Sequence, residues 1–288
     1  MSPRTDLCDT CQHLRNDLQF KARKEEEAQD LLKRYKEHLT RYYITALTLP
    51  LITVTAELKM SIFLIPISKL YYLSARKVHL FGVQDEAVRE QINYVLDENE
   101  LLGKGPNGTL SLVFDGIKQL NRGEKHLKVT CDNAGGQNKN NATIWFYLYL
   151  VIVGYYESIE LNFMIPGHTK FKCDGSFGLI KRLYRKTTVD CVDHVVEVVK
   201  RSSIAGLNKA RRYNGDEAQE VADGPFQEFK LLKISKSEAS RVIEKIKALS
   251  FPVLEPPPMK YERQEYFYQH IRPFVKDLFK DVTCPKPS

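Results

Sequence analysis

The stretch His126-Leu-Lys-Val-Thr-Cys-Asp-Asn-Ala-Gly-Gly-Gln-Asn-Lys-Asn-Asn141 places a strand-like run directly before a dense group of polar residues. A second stretch repeats this design, because the apolar run 159–165 is followed by the polar residues 166–178. Each polar group offers one acidic side chain, Asp132 or Asp174, among glycines, amides and lysines. A hydrophobic core does not require such segments, so the pair indicates a site that holds a metal and a phosphate.

The pattern outward from these two stretches predicts an α/β fold. Strands are expected at 43–56, at 61–73 with 78–83 as its continuation or a further strand, at 90–96, at 126–131 and at 158–165. Helices are expected at 109–120, at 141–154, where the apolar residues on all sides predict burial, and at 174–186. Three successive strands followed by alternating helices and strands indicate a mixed sheet with helices packed on it, which is the order of a ribonuclease H-like fold.

The chain divides into three regions. Residues 1–42 hold two cysteines and a charged helix at 20–42, which either docks on the core or mediates oligomerisation. Residues 43–212 form the expected core, with a last amphipathic helix around 189–199. Residues 213–288 begin with a polar stretch and then predict a helix at 236–249, a proline-rich linker at 252–258 and an aromatic helix at about 261–279.

The net charge of the 288-residue chain is +7, and it is concentrated in one segment. Residues 166–212 contain eleven Lys or Arg and four Asp or Glu, an excess equal to that of the whole chain. A local basic zone of this kind favours a polyanion partner such as DNA. A solvated helix face remains the alternative interpretation.

Cysteine usage and hydropathy indicate an intracellular protein. The six cysteines form no obvious disulfide framework, no secretory leader is evident, and no apolar run is long and uninterrupted enough to span a bilayer. Cys8 and Cys11 have the spacing of a zinc knuckle, with His13 and His38 as candidate partners, but no second cysteine pair completes four ligands. Zn²⁺ at this position is therefore a weak expectation. The other four cysteines are interpreted as buried or incidental thiols.

Asp132 and Asp174 suit a magnesium site because Mg²⁺ prefers carboxylate, water and phosphate oxygens. His168 is a candidate acid/base or phosphate ligand. Donors that would position phosphate or DNA are Gln137, Asn138, Lys139, Asn140, Lys170, Lys181, Arg182 and Arg185. Each residue also has an ordinary structural explanation: Asp132 in a turn, Asp174 as a helix N-cap, and His168 in a loop cap.

Two motifs, Asp132-Asn-Ala-Gly-Gly-Gln-Asn-Lys-Asn-Asn141 and Gly167-His-Thr-Lys-Phe-Lys-Cys-Asp174 with Phe177-Gly-Leu-Ile-Lys181, resemble the signature of a eukaryotic transposase-like family. Its members are DDE-type domains with a ribonuclease H-like fold, found in animal and fungal transposable elements. The resemblance extends to shorter matches at 8–11, 70–83, 103–107 and 256–273. It implies that Asp132 is the second metal-binding acid, that Asp174 is the third, and that the ancestral activity is DNA cleavage and strand transfer with Mg²⁺ or Mn²⁺.

The chain departs from that family at the first acid. The family carries an aspartate on its first strand, whereas residues 42–68 contain no Asp and a single acid, Glu57. Loss of one acid in three should impair a two-metal site. The resemblance therefore implies a nuclear, transposase-derived protein whose activity is impaired. The alternative is a non-catalytic DNA-binding or interaction module.

Overall fold

The fold is a six-stranded mixed sheet with helices on both faces. The computed structural model describes residues 13–14, 17, 29–36, 51–61, 73–98, 100, 106–131, 138–163, 172–212, 236–248 and 258–288. The strands are β1 (Leu51–Ser61), β2 (Lys77–Asp85), β3 (Glu90–Asp97), β4 (His126–Cys131), β5 (Ser158–Phe163) and β6 (Asn208–Arg212). Their spatial order is β5-β4-β1-β2-β3-β6. The pairs β1–β2 and β2–β3 are antiparallel, and the other three pairs are parallel.

The helices follow the predicted sequence order. They are α1 (Pro106–Leu120), α2 (Asn141–Ile152), α3 (Lys172–Tyr184), α4 (Val192–Arg201), α5 (Lys236–Lys247), α6 (Tyr261–Tyr266) and α7 (Lys280–Thr283). Between α6 and α7 lie a π-helical turn, Phe267–Ile271, and two short 3₁₀ turns, Arg272–Phe274 and Asp277–Phe279. None of the helices in the described ranges is both long and apolar enough to cross a membrane.

Alternation along β2 and β3 creates two cores, because successive side chains point to opposite faces of a sheet. On one face, Phe81, Val83 and Tyr94 pack with residues of α1 and α2. On the other face, Leu80 and Val95 pack with residues of α3 and α4. The prediction of an α/β protein is therefore confirmed.

Several local predictions differ from the structure. The first strand occupies 51–61, and the proposed strand at 61–73 falls largely outside the described residues. β6 was not predicted, because its sequence Asn-Lys-Ala-Arg-Arg lacks the apolar alternation of a strand; it forms an edge whose cations are paired with acids. Most of α2 is buried or half-buried, as its apolar residues predict, although Ile144 is 47% exposed.

The C-terminal residues pack onto the sheet through charged side chains. Arg263 donates from Nε and a terminal nitrogen to both carboxylate oxygens of Glu98, at 2.8 and 2.9 Å, and to the carbonyls of Ser74 and Ala75. Its guanidinium lies 4.1 Å from the ring centroid of Phe267, which belongs to a small third core. Residues 258–288 are thus integrated with the strand ends of β2 and β3.

A second set of contacts fastens the same segment to the loop before α4. Lys276 pairs with the buried carboxylate of Asp190 at 2.8 Å, and the Thr283 hydroxyl donates to the Asp190 carbonyl at 2.6 Å. Arg76, just before β2, pairs with Asp97 and also donates to the Thr283 carbonyl. Charged groups held at several points in one geometry stabilise more than isolated surface pairs.

We expect Arg263→Lys to lower the free energy of unfolding by about 2 kcal/mol, because lysine cannot reproduce the two-pronged contact. Burial opposes ionisation of Glu98, but hydrogen bonds from Arg263 and from the Lys77 backbone outweigh it and lower the pKa of Glu98 below 4.5. The stabilisation is therefore present above about pH 4.5 and is lost as the pH falls through the lower, folded-state pKa. Thermal unfolding of the unaltered chain and of Arg263→Lys should be measured between pH 7 and pH 3. The difference between their unfolding temperatures should shrink as the pH falls.

The matched control is Lys125→Gln, which breaks an ion pair with Glu157 whose two side chains are 72% and 58% exposed. It should change stability by no more than about 0.5 kcal/mol. Equal effects of the two substitutions would contradict the role assigned to Arg263.

Candidate functional site

The strands that precede the two polar motifs end side by side at one edge of the sheet. β4 and β5 are parallel neighbours, and their final residues, Cys131 and Phe163, are register partners. Cys131 is also paired with Val54 of β1, so β1 borders this edge. An edge where parallel strands end is where open α/β sheets bind ligands.

The first turn of α2 brings polar groups to this edge. Asn140 is the N-cap, and its Oδ1 accepts from the Thr143 backbone N–H at 3.0 Å and from the Thr143 hydroxyl. Its buried Nδ2 has no hydrogen-bond partner among the described residues. Lys139 is exposed, with Nζ 5.6 Å from the ring centroid of Phe163. A helix N-terminus with a nearby exposed ammonium favours an anion.

A buried phenol lies beneath this edge. Tyr147 of α2 belongs to the same core as Cys131. Burial, reinforced by the Cys131 sulfur, raises the pKa of Tyr147 well above 10. The phenol therefore stays neutral and adds no negative charge that would repel an anion at the edge.

Asp174 lies in the first turn of α3 and its side chain is exposed. The position of α3 is fixed three residues later, where Phe177 packs over the sheet at Gly82. A Cβ built on Gly82 would lie 2.7 Å from Phe177 Cζ and 2.8 Å from Gln91 Nε2. Gly82 is thus required for α3, and with it Asp174, to lie this close to β2. The register partner of Gly82 on β1 is Thr55, one residue beyond Val54.

Half of the predicted site lies outside the described residues. Asn138, Lys139, Asn140, Asp174, Lys181, Arg182 and Arg185 are described, whereas Asp132, Gln137, His168, Lys170, Cys8 and Cys11 are not. Within the described ranges no group of three His, Cys, Asp or Glu side chains could hold a metal ion. The roles assigned to all of these site residues, described or not, stay predictions. The four other cysteines, Cys131, Cys173, Cys191 and Cys284, are buried thiols, in agreement with the sequence interpretation.

The basic zone separates into two parts. On β6, Lys209, Arg211 and Arg212 form ion pairs with acids of β3, α1 and the segment after β3. At the C-terminal end of α3, the exposed Lys181, Arg182, Arg185 and Lys186 form no ion pair with a described residue. Among the described residues of the zone, the second part and Arg201 form no internal ion pair, a division that the sequence could not reveal because it depends on the strand pairing of β6.

Sequence reasoning also missed a group of buried amides under α3 and α4. Gln84, Gln91 and Asn208 are cross-strand neighbours in one row of the sheet, and each is at least 97% buried. The side-chain oxygens of all three have no hydrogen-bond partner. The Asn208 amide donates to the Ser176 carbonyl and to the Ser202 hydroxyl, so it joins the start of α3 to the end of α4.

Gly82→Ala should lower the free energy of unfolding by about 1–3 kcal/mol, because the added methyl forces Phe177 and α3 away from the sheet. Gly178→Ala is the control, since a Cβ on Gly178 meets nothing within 4 Å. That substitution should be neutral or stabilising by up to about 1 kcal/mol, as alanine favours a helix over glycine. Chemical denaturation measures both. A neutral Gly82→Ala would contradict the tight contact between α3 and β2.

Comparison with known proteins gives one family. A family model described as a domain of unknown function (DUF7869) matches residues 70–235, more than half of the chain. The matched region runs from just before β2 to beyond β6 and includes both polar motifs. No curated protein and no solved structure matches the chain.

Proposed function

This chain belongs to the DUF7869 family, and we propose that it derives from a DDE-type transposase with a ribonuclease H-like core. The observation that carries the proposal is the shared edge: the motifs that begin at Asp132 and before Asp174 follow adjacent parallel strands β4 and β5. The strand order β3-β2-β1-β4-β5, with three antiparallel strands followed by parallel additions, supports the same ancestry. The ancestral activity would be metal-dependent cleavage and strand transfer of DNA in the nucleus.

The donor set fits a pair of Mg²⁺ or Mn²⁺ ions only in part. Asp174 is an exposed oxygen donor at the start of α3, and Asp132 follows the last residue of β4 directly. A two-metal site needs carboxylates from several segments that meet at one place. β1, the natural source of the first carboxylate, contains no Asp, and its one acid, Glu57, lies within the register shift between Thr55 and Leu58. We therefore derive no catalytic step through bound metal and propose that activity is impaired.

The protein groups at the edge suit phosphate binding without metal. The α2 N-terminus and the exposed Lys139 ammonium would each donate to a phosphate oxygen. Gln137, Asn138, His168 and Lys170 extend the set by sequence position. Neutral and cationic donors of this kind orient a DNA backbone and carry no sequence information themselves.

The test of impaired catalysis is a cleavage assay on the full chain with labelled duplex DNA in Mg²⁺ or Mn²⁺. We expect no cleavage above that of the Asp132→Ala variant, because two acids hold the ions poorly. Clear cleavage that disappears in Asp132→Ala and in Asp174→Ala would contradict the proposed impairment and would assign the missing ligand to Glu57 or another acid. Lys125→Gln serves as a folded control that leaves all acids in place.

The second candidate is a non-catalytic DNA-binding module, favoured by the cations of α3 that form no ion pair with a described residue. It predicts salt-sensitive binding to duplex DNA that persists in EDTA and is not weakened by Asp132→Asn or Asp174→Asn. Fluorescence anisotropy at several salt concentrations measures it. Binding that requires a divalent metal and both acids would instead favour the catalytic candidate.

A further inference from the structure

Four cations of the basic zone, Lys181, Arg182, Arg185 and Lys186, form no ion pair with a described residue and lie at the end of α3 or in the turn that follows it. On a helix, residues spaced by three, four and seven positions share a side, and Asp174, Gly178, Lys181 and Arg185 follow that spacing. All four are exposed, as are the flanking Gly175, Arg182 and Lys186. The buried side of α3 is formed by Cys173, Phe177 and Ile180. We call the exposed side, residues 174, 175, 178, 181, 182, 185 and 186, the α3 face.

A further cation, Arg201, lies near the N-terminal end of α3. The Asn208 amide donates to the Ser176 carbonyl at 3.3 Å and to the Ser202 hydroxyl at 2.8 Å, which places the C-terminal end of α4 beside the N-terminal end of α3. Arg201, the residue before Ser202, is exposed and forms no ion pair with a described residue. Arg201 therefore lies near the N-terminal end of α3, where the exposed Asp174 also lies, and the other four cations lie at the C-terminal end.

The middle of the face is open at Gly175 and Gly178. A Cβ on either glycine meets nothing within 4 Å, so internal packing does not require them. A glycine within a helix costs about 1 kcal/mol relative to alanine. Bare helix backbone beside a group of cations lets an anionic partner approach the helix closely.

The chemistry of the face favours a nucleic-acid backbone over a protein partner. No large apolar side chain is exposed between residues 173 and 201 of the described chain, whereas protein interfaces depend on buried apolar and aromatic anchors. Protein–DNA interfaces are more polar and more positive. From Gly175 to Arg185 the helix rises about 15 Å, which corresponds to four or five nucleotides of one strand.

We propose that the α3 face, with Arg201, binds the phosphate backbone of duplex DNA, and that the basic residues of β6 do not. The inference rests on the proposal that the protein acts on DNA, but it requires neither metal nor catalysis. Lys181 and Arg185 contact phosphates, while Gly175 and Gly178 permit the close approach.

The test uses the full chain, a fluorescent duplex and EDTA, with anisotropy measured across a salt series. Lys181→Gln/Arg185→Gln should weaken binding at least tenfold and reduce the slope of log affinity against log salt by about 1.8, since each phosphate contact contributes about 0.9. The matched control, Lys245→Gln/Lys247→Gln, removes two exposed charges from α5. It should change affinity less than twofold.

The glycines give a test independent of charge. Gly175→Ala/Gly178→Ala should raise the unfolding temperature and yet weaken duplex binding several-fold, a combination that a purely structural role of these glycines would not produce. Equal losses in the two charge variants, unchanged binding in the glycine variant, or absence of salt-sensitive binding by the unaltered chain would each overturn the inference.

Two further arms separate the alternatives. Displacement of the duplex by poly-glutamate at equal charge, or tighter binding to duplex RNA, would also contradict a DNA surface. Duplex binding through α3 combined with Asp132 and Asp174 on opposite faces of the sheet would uphold this inference and refute the proposed metal site. Unchanged duplex binding in the α3 variants, combined with both acids at one edge of the sheet, would refute this inference and leave the proposed ancestry intact.

Discussion

The parallel pairing of β4 with both β1 and β5 is the constraint on which the candidate site depends. It makes Val54, Cys131 and Phe163 neighbours at one level of the sheet. The strands that precede the two polar segments thus end side by side, and the first turns of α2 and α3 follow those segments in the chain. If β5 paired elsewhere, the same motifs would lie apart and would be two unrelated turns.

Ion pairing decides which charges of the protein remain available. Arg76, Arg263 and Lys276 are used to hold the C-terminal segment, and the cations of β6 neutralise acids of neighbouring elements. Within the basic zone, the described cations that form no ion pair with a described residue are those of the α3 face and Arg201. The net charge of a segment therefore overstates what a partner would meet, because internal pairs remove part of it. Gly175 and Gly178 of α3 also affect what a partner would meet, because they leave the helix backbone next to these charges uncovered.

Residue patterns predicted the α/β class, the element order through α3 and the burial of four cysteines, because strand and helix periodicities are local. They did not predict β6, whose charged residues form a strand only beside β3, nor the exposure of Ile144 on α2. The close contact between Gly82 and Phe177 depends on how α3 packs on β2, so the sequence alone did not predict it. The shared edge was anticipated from the two motifs, while Asp132, His168 and Lys170 lie outside the described residues and keep their predicted roles.

The central claim is that the fold brings Asp132 and Asp174 to one edge of the sheet. A crystal structure of the chain grown with Mn²⁺ measures this directly through the distance between the two carboxylates. Because the ions of a two-metal site lie roughly 3.5–4 Å apart and carboxylates bind them directly, the account predicts carboxylate oxygens within about 8 Å of each other. Carboxylates on opposite faces of the sheet, or separated by the full width of α3, would contradict it.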